Sequence, residues 1–313
     1  MSQSSAPDLS VQIGALRLSN PILAASGTFG YGVEFAELVD LNRLGGVVVK
    51  GLSIQPMEGA PEPRLYPTAS GMLNAVGLQN VGVGAFVAEK LPALRQYRTA
   101  IIANVFGCTT EEYVEVIRVL EDAEGLAAYE LNISCPNVKR GGTQYGSDPA
   151  MAAEVVAAAR SAANRPLWVK LSPNVTDIRP IARAAADAGA DALTVANTYP
   201  AMAVDPATGR SRLGNPTGGL SGPAIKPITL RLVHEVVSAV SIPVVGLGGI
   251  EVVDDVVEYL VVGASAVQVG TAHFIDPKAS EKLVSALEVW CRRNKCLNIS
   301  SLPGTAPKQT SSI

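Results

Sequence analysis

Residues 243–272 read PVVGLGGIEVVDDVVEYLVVGASAVQVGTA, and this stretch decides the fold. Residues 244–246 form a short apolar run that ends in glycines, 252–261 read as an amphipathic helix, and 266–269 form a second short apolar run. A strand, a helix and a strand of these lengths make one crossover unit joining two buried parallel strands. The same alternation extends outward from about residue 20 to about residue 290. It predicts strands at 22–24, 47–49, 101–104, 129–132, 168–171, 192–196, 244–246 and 266–269. Helices are predicted between them, the clearest at 110–123, 150–163, 178–188, 227–240 and 252–261. Right-handed crossovers joining eight such units close a (β/α)₈ TIM barrel of the α/β class. An open dinucleotide-binding sheet would need a GxGxxG turn after the first strand, and there is none.

Around this frame, 11–13 and 16–18 read as a hairpin covering the N-terminal mouth of the barrel. Two connections, 53–82 and 198–226, are too long for simple turns and follow strands, which predicts that both lie over the catalytic face. Residues 1–296 are expected to form one domain, and the polar run LNISSLPGTAPKQTSSI at 297–313 a disordered tail.

The chain has 313 residues, 48% hydrophobic and 17% charged, which excludes intrinsic disorder. Its 25 Lys+Arg against 28 Asp+Glu give a net charge of -3, so nucleic acid and anionic membrane are not expected partners. The start, MSQSSAPDLS, has neither a basic nor an apolar region and predicts no secretion signal. The longest uncharged stretch, 259–275, is too short to span a membrane. Four cysteines and two histidines form neither a disulfide framework nor a zinc spacing, and a cytoplasmic protein is expected. Cys108, Cys291 and Cys296 are read as inert, buried thiols.

In this fold the residues just after each strand converge on one rim. They are Ser26, Lys50-Gly51, Asn104, Asn132 with Cys135, Lys170, Asn197-Thr198, Gly248-Gly249 and Gly270-Thr271. Lys50 and Lys170 sit in apolar runs, GGVVVKG and LWVKLS, without an acidic neighbour, so a bound anion is the economical partner. The glycine pairs after the last two strands occupy a common phosphate site of this fold. Phosphate at one end and ammonium and amide groups at the other suggest flavin mononucleotide (FMN) across the mouth. Cys135, in the run NISCPNVKRGG, lies on a loop suited to a general base, with Asn132 and Asn137 around it and Gly141-Gly142 beyond.

Together, ASGTFGYG at 25–32, VVKG at 48–51, NAVGLQN at 74–80, NISCPN at 132–137, KLSPN at 170–174, ANT at 196–198, GGLSGPAIKP at 218–227, GLGGI at 246–250 and VGTA at 269–272 resemble class 1 dihydroorotate dehydrogenases. The resemblance runs from about residue 8 to about residue 290. It implies an FMN enzyme that oxidises dihydroorotate to orotate in pyrimidine synthesis, Cys135 removing the C5 proton and hydride passing to flavin N5. Ser26, Lys50, Gly51, Asn104, Asn132, Lys170, Ala196, Gly222, Gly248, Gly249, Gly270 and Thr271 are implied as FMN contacts. Lys50, Asn74, Ala75, Val76, Gly77, Leu78, Asn132, Asn197 and Thr198 are implied to hold the substrate. Lys50 and Lys170 join Cys135 in the implied catalytic set.

NAVGLQN and NVKRGG resemble the class 1B form, class 1A members tending to carry proline at the place of Gln79. Class 1B implies a homodimer of catalytic subunits within a heterotetramer, its electron-transfer subunit carrying FAD and a [2Fe-2S] cluster and passing electrons to NAD. This chain has no Cys₄ spacing for such a cluster. The alternatives are a class 1A-type homodimer reducing fumarate and a flavin-dependent reductase of uridines in transfer RNA.

Overall fold

The structure is a computed structural model that describes residues 6–134 and 145–306. Fourteen strands are assigned among these residues, and eight of them close the barrel. In chain order the barrel strands are β3 (Ile22–Ala24), β4 (Gly46–Val48), β7 (Ala100–Val105), β8 (Ala128–Asn132), β9 (Leu167–Lys170), β10 (Ala192–Val195), β13 (Val244–Leu247) and β14 (Ala266–Val269). Each pairs in parallel with the next, and β14 returns to β3 through Val267 opposite Ile22. The predicted TIM barrel is the observed one, and the helices and strands named from sequence lie within three residues of their expected ends.

Local chemistry sets those ends. Thr109 caps the helix Thr110–Glu121 by accepting from the Glu112 amide at 3.3 Å, with Glu111 and Glu112 in the first turn. Asp148 caps Pro149–Ala162 in the same way, accepting from Met151 N at 3.0 Å. The strands they alternate with are apolar on both faces because helices cover the outside and side-chain layers fill the lumen. Leu167, Val169, Leu193, Val195 and Val267 have no exposed surface.

The hairpin β1 (Val11–Ile13) and β2 (Leu16–Leu18) forms as expected, burying Ile13 and Leu18. Of the segment expected as a disordered tail, residues 297–306 dock on the barrel, and 307–313 lie outside the described residues. Asp8 N donates to Leu297 O at 2.9 Å, Ile299 N donates to Asp8 O at 3.0 Å, and Ala306 N donates to Val261 O at 3.0 Å. Ile299, in a 3-10 turn (Ile299–Ser301), is fully buried. Ile299, Leu302 packed beside it and a few backbone bonds dock a segment whose composition is otherwise that of a solvated tail.

The two long connections form secondary structure of their own. Residues 53–82 contribute β5 (Leu65–Thr68) and β6 (Gly71–Asn74), and 198–226 contribute β11 (Tyr199–Ala201) and β12 (Gly218–Ser221). They make one antiparallel sheet in the order β11-β12-β6-β5, with Leu220 opposite Leu73. Each strand is three or four residues long and glycine-rich or proline-containing, and the central pairing joins residues far apart in sequence. Periodicity therefore carries no signal for it.

Candidate active site

The barrel rim and this added sheet enclose one cleft, holding about 850 Å³ of empty space with its mouth included. Its floor is Lys170 at the end of β9, Ala196-Asn197-Thr198 after β10, Gly248-Gly249 after β13 and Gly270-Thr271 after β14. Leu65, Met72, Asn74 and Val76 form the facing wall, and Ser221 and Gly222 close one end. Residues at the C-terminal ends of these four barrel strands thus meet residues from three strands of the added sheet, on the face where this fold places its chemistry.

The glycine end is built for close approach. Gly222 (φ +94) and Gly249 (φ +69) adopt left-handed backbone. A Cβ on Gly249 would lie 2.8 Å from Gly222 O, and one on Gly222 would lie 2.7 Å from the Gly71 backbone. Tyr259 OH donates to Gly248 O at 2.7 Å and fixes the loop from below. Lys226 pairs with Asp255 at 2.6 Å and with Glu258 at 2.9 Å, while Asp255 accepts from the Glu251 and Val252 amides. Thr271 Oγ1 donates to Ser221 Oγ at 2.8 Å, joining the end of β14 to the added sheet.

At the other end the polar groups are buried. Lys170 is only 6% exposed and lines the cleft, and its ammonium has no hydrogen-bond partner among the described residues. Burial pushes its pKa below the ordinary lysine value, and the Glu130 carboxylate pulls it back up. Lys50 is likewise pushed down, first by burial and then by the nearby Arg64 guanidinium. Asn132 Oδ1 accepts from Ser134 Oγ at 2.7 Å, and Asn197 Nδ2 donates to the same hydroxyl at 2.6 Å. Asn74 Nδ2 donates to Gly219 O at 3.1 Å across the added sheet.

Of the implied cofactor contacts, Lys170, Ala196, Gly222, Gly248, Gly249, Gly270 and Thr271 line the cleft, as do Asn74, Val76, Asn197 and Thr198 of the implied substrate contacts. Ser26, Lys50, Gly51, Asn104, Asn132, Ala75, Gly77 and Leu78 do not line it. Gly51 and Asn104 are adjacent, a Cβ on Gly51 falling 3.0 Å from Asn104 Oδ1. Gly77 and Leu78 border a second, shallower hollow with Phe106 and Cys108. Cys135, Asn137 and Gly141-Gly142 lie outside the described residues. Cys291 is fully buried as expected, whereas Cys108 and Cys296 are only half-buried, Cys108 lying just before the helix Thr110–Glu121 and Cys296 just after the helix Ala279–Arg293.

Sequence reading missed two residues. Ser134 joins Asn132 to Asn197, and nothing in its type announces that. Glu130 is completely buried in the barrel lumen, accepting from Asn104 Nδ2 at 2.7 Å, Thr194 Oγ1 at 2.8 Å and Gln268 Nε2 at 2.5 Å. It corrects the reading of Lys170 as a lysine with no acidic neighbour, because the counter-charge comes from the adjacent strand, 40 residues earlier in sequence. A carboxylate in the apolar strand AYELN was the available signal.

These residues fit a planar, phosphorylated group. A buried lysine with no hydrogen-bond partner among the described residues lines the cleft, and at its other end Gly222 and Gly249 hold a positive-φ turn in which any Cβ would collide with backbone 2.7–2.8 Å away. No cluster of three or more potential metal ligands occurs among the described residues, and no helix there is long and apolar enough to cross a membrane.

Comparison with known proteins agrees with this geometry. Residues 8–290 match the family model for dihydroorotate dehydrogenase. A protein from Solibacter usitatus named "Putative dihydroorotate dehydrogenase A (fumarate)" is 57% identical over 96% of this chain and 98% of its own. "Dihydroorotate dehydrogenase B (NAD(+)), catalytic subunit" from Pelobacter propionicus is 53% identical over 95% and 98%, and its namesake from Trichlorobacter lovleyi is also 53% identical over the same shares. A crystal structure of DHODH from Eimeria tenella in complex with ferulenol shares the fold, with a TM-score of 0.80 over 98% of this chain and 91% of that one, at 22% identity. The chain therefore belongs to the dihydroorotate dehydrogenase family.

Proposed function

We propose that this chain oxidises (S)-dihydroorotate to orotate in pyrimidine synthesis with one bound FMN. The observation that carries the reading is the joining of buried Lys170, whose ammonium has no hydrogen-bond partner among the described residues, and the Gly222–Gly249 turn in one cleft. The cofactor's contribution when bound is hydride acceptance. Lys170 places positive charge where negative charge develops on the acceptor. Gly248-Gly249 and Gly270-Thr271 offer backbone amides to the phosphate, and Asn104 and Asn132, at the ends of β7 and β8, stand behind the cleft lining as the further amides implied for the heterocycle. Asn74, Asn197 and Thr198 hold the substrate's carboxylate and ring amides, with Lys50 as the second cation. Cys135 takes the C5 proton, on the strength of the NISCPN resemblance.

For the electron acceptor we favour NAD, reached through a partner subunit that carries FAD and a [2Fe-2S] cluster. In that reading the catalytic chains pair as a homodimer within a heterotetramer in the cytoplasm. Gln79, rather than proline, supports it, as do the names of the relatives from Pelobacter and Trichlorobacter. Fumarate is the second reading, favoured by the name of the Solibacter relative. The deciding experiment is anaerobic addition of dihydroorotate to the purified yellow protein, followed by fumarate or by NAD. Bleaching of the flavin band establishes the reaction, and an unbleached band refutes it. Reoxidation by fumarate without a partner assigns the second reading; reoxidation by NAD only with the partner subunit assigns the first.

A further inference from the structure

The three donors around Glu130 come from three different barrel strands, β7, β10 and β14, and converge on a carboxylate with no exposed surface. A carboxylate is an acceptor-only group, so three donors suit its charged form and hold it in one place. Gln268 points its amide nitrogen at the carboxylate and leaves its own Oε1 without a partner, the orientation that an anion imposes. Such a network is expensive to bury in a lumen that apolar side chains could fill. Two residues beside it belong to the implied cofactor set, and of these Lys170 lines the cleft. Asn104, which donates to Glu130, is an implied cofactor contact, and Lys170 lies on the neighbouring strand β9.

The strand neighbours of Lys170 among the described residues are uncharged. Its register partners are Asn132 on β8 and Thr194 on β10, both neutral. Glu130 is the one charged side chain among the described residues that acts on it. The two are not in direct contact, since no ion pair joins them within 4.0 Å. Glu130 therefore does not consume the lysine's hydrogen-bonding capacity, and the ammonium stays directed to the cleft.

We propose that Glu130 is a positioning residue that acts through Lys170, keeping this buried lysine charged where it lines the cleft. The proposal rests on the FMN-dependent reading above. It gives the lumen a function: a fixed negative charge two residues below Asn132, the register partner of Lys170, offsets the cost of burying the ammonium that lines the cleft.

The test is a double-mutant cycle on the FMN-loaded enzyme: wild type, Glu130→Gln, Lys170→Gln and the double variant. Two readouts are taken, the rate of anaerobic flavin bleaching by dihydroorotate and the midpoint potential of the bound FMN. Glu130→Gln is expected to slow bleaching by at least about tenfold in the wild-type background and by less than about twofold once Lys170 is Gln. The midpoint potential is expected to fall in the first background, as when a cation is lost, and not in the second. Equal losses in both backgrounds, or a potential that rises in the wild-type background, would overturn the proposal, because Lys170 would then hold its charge without Glu130. Should Glu130→Gln not retain FMN, Thr194→Val removes one of the three donors and is read in the same two backgrounds. The same non-additivity is expected, and additive losses again overturn the proposal. A wild-type protein that does not bleach refutes the dihydroorotate reading itself and is distinguishable from either result.

Discussion

Asn197 Nδ2 donates a hydrogen bond to Ser134 Oγ at 2.6 Å, across the rim from the end of β8 to the loop after β10. The same hydroxyl donates to Asn132 Oδ1 at 2.7 Å, so one serine fixes two implied ligand contacts and also anchors the residue immediately before Cys135. Ser134→Ala leaves two amide groups to find new partners in a nearly dry site. Loss of a buried hydrogen bond of this kind costs about 1–3 kcal/mol. The expected outcome is a fall in kcat/KM of roughly tenfold or more with FMN content unchanged, measured by steady-state turnover and by the absorbance of the bound flavin.

Cys135→Ser tests the base directly. A serine hydroxyl is a much weaker acid than a thiol, so at neutral pH far less of it is available in the proton-accepting form. Anaerobic flavin reduction by dihydroorotate should slow by about a hundredfold or more near neutral pH, with the flavin spectrum of the resting enzyme unchanged.

Gly249→Ala tests the Gly222–Gly249 turn. The new methyl would meet Gly222 O at 2.8 Å on a backbone held at φ +69. The substitution is expected to give a folded chain that is pale or colourless as purified, because the loop must open at a cost of roughly 1–3 kcal/mol. The flavin-to-protein absorbance ratio reads the outcome.

Acid stability should depend on His273. Burial pushes this imidazole from 6.5 down to about 4, and its Nε2 bonds to Ser280 Oγ in the core. Between those values the unfolded chain binds a proton that the folded chain refuses. The contribution to stability is therefore complete above about pH 6.5 and is lost as pH falls towards 4. Its size is up to roughly 3 kcal/mol. Urea unfolding across this window should show the loss, and His273→Gln should flatten it.

Truncation after Cys296 removes Ile299, whose burial alone is worth about 1.5–3 kcal/mol. A lower urea midpoint is expected, with flavin content and turnover kept at low temperature, since this segment packs against Asp8 and Val261 and lines no part of the cleft.

The barrel was legible because each of its strands is a continuous apolar run and each helix carries local caps, as at Thr109 and Asp148. The rim was legible for the same reason, since lysines and asparagines stand out at the ends of such runs. What was not legible depends on contacts between distant residues. Glu130 and Gln268 are 138 residues apart, and Ser221 and Thr271 are 50 apart. The docking of residues 297–306 was hidden by their composition, because it rests on Ile299, on Leu302 packed beside it and on a few backbone bonds.

The sheet that walls the cleft draws its two halves from loops more than a hundred residues apart, meeting where Leu73 faces Leu220. Neither half has a partner until the ends of β4 and β10 have been brought onto one rim. Each half is a local hairpin, β5–β6 or β11–β12, and only their central pairing requires the assembled rim. Ligand capture consequently reports on completion of the whole architecture, and flavin colour serves as an assay of topology as well as of binding.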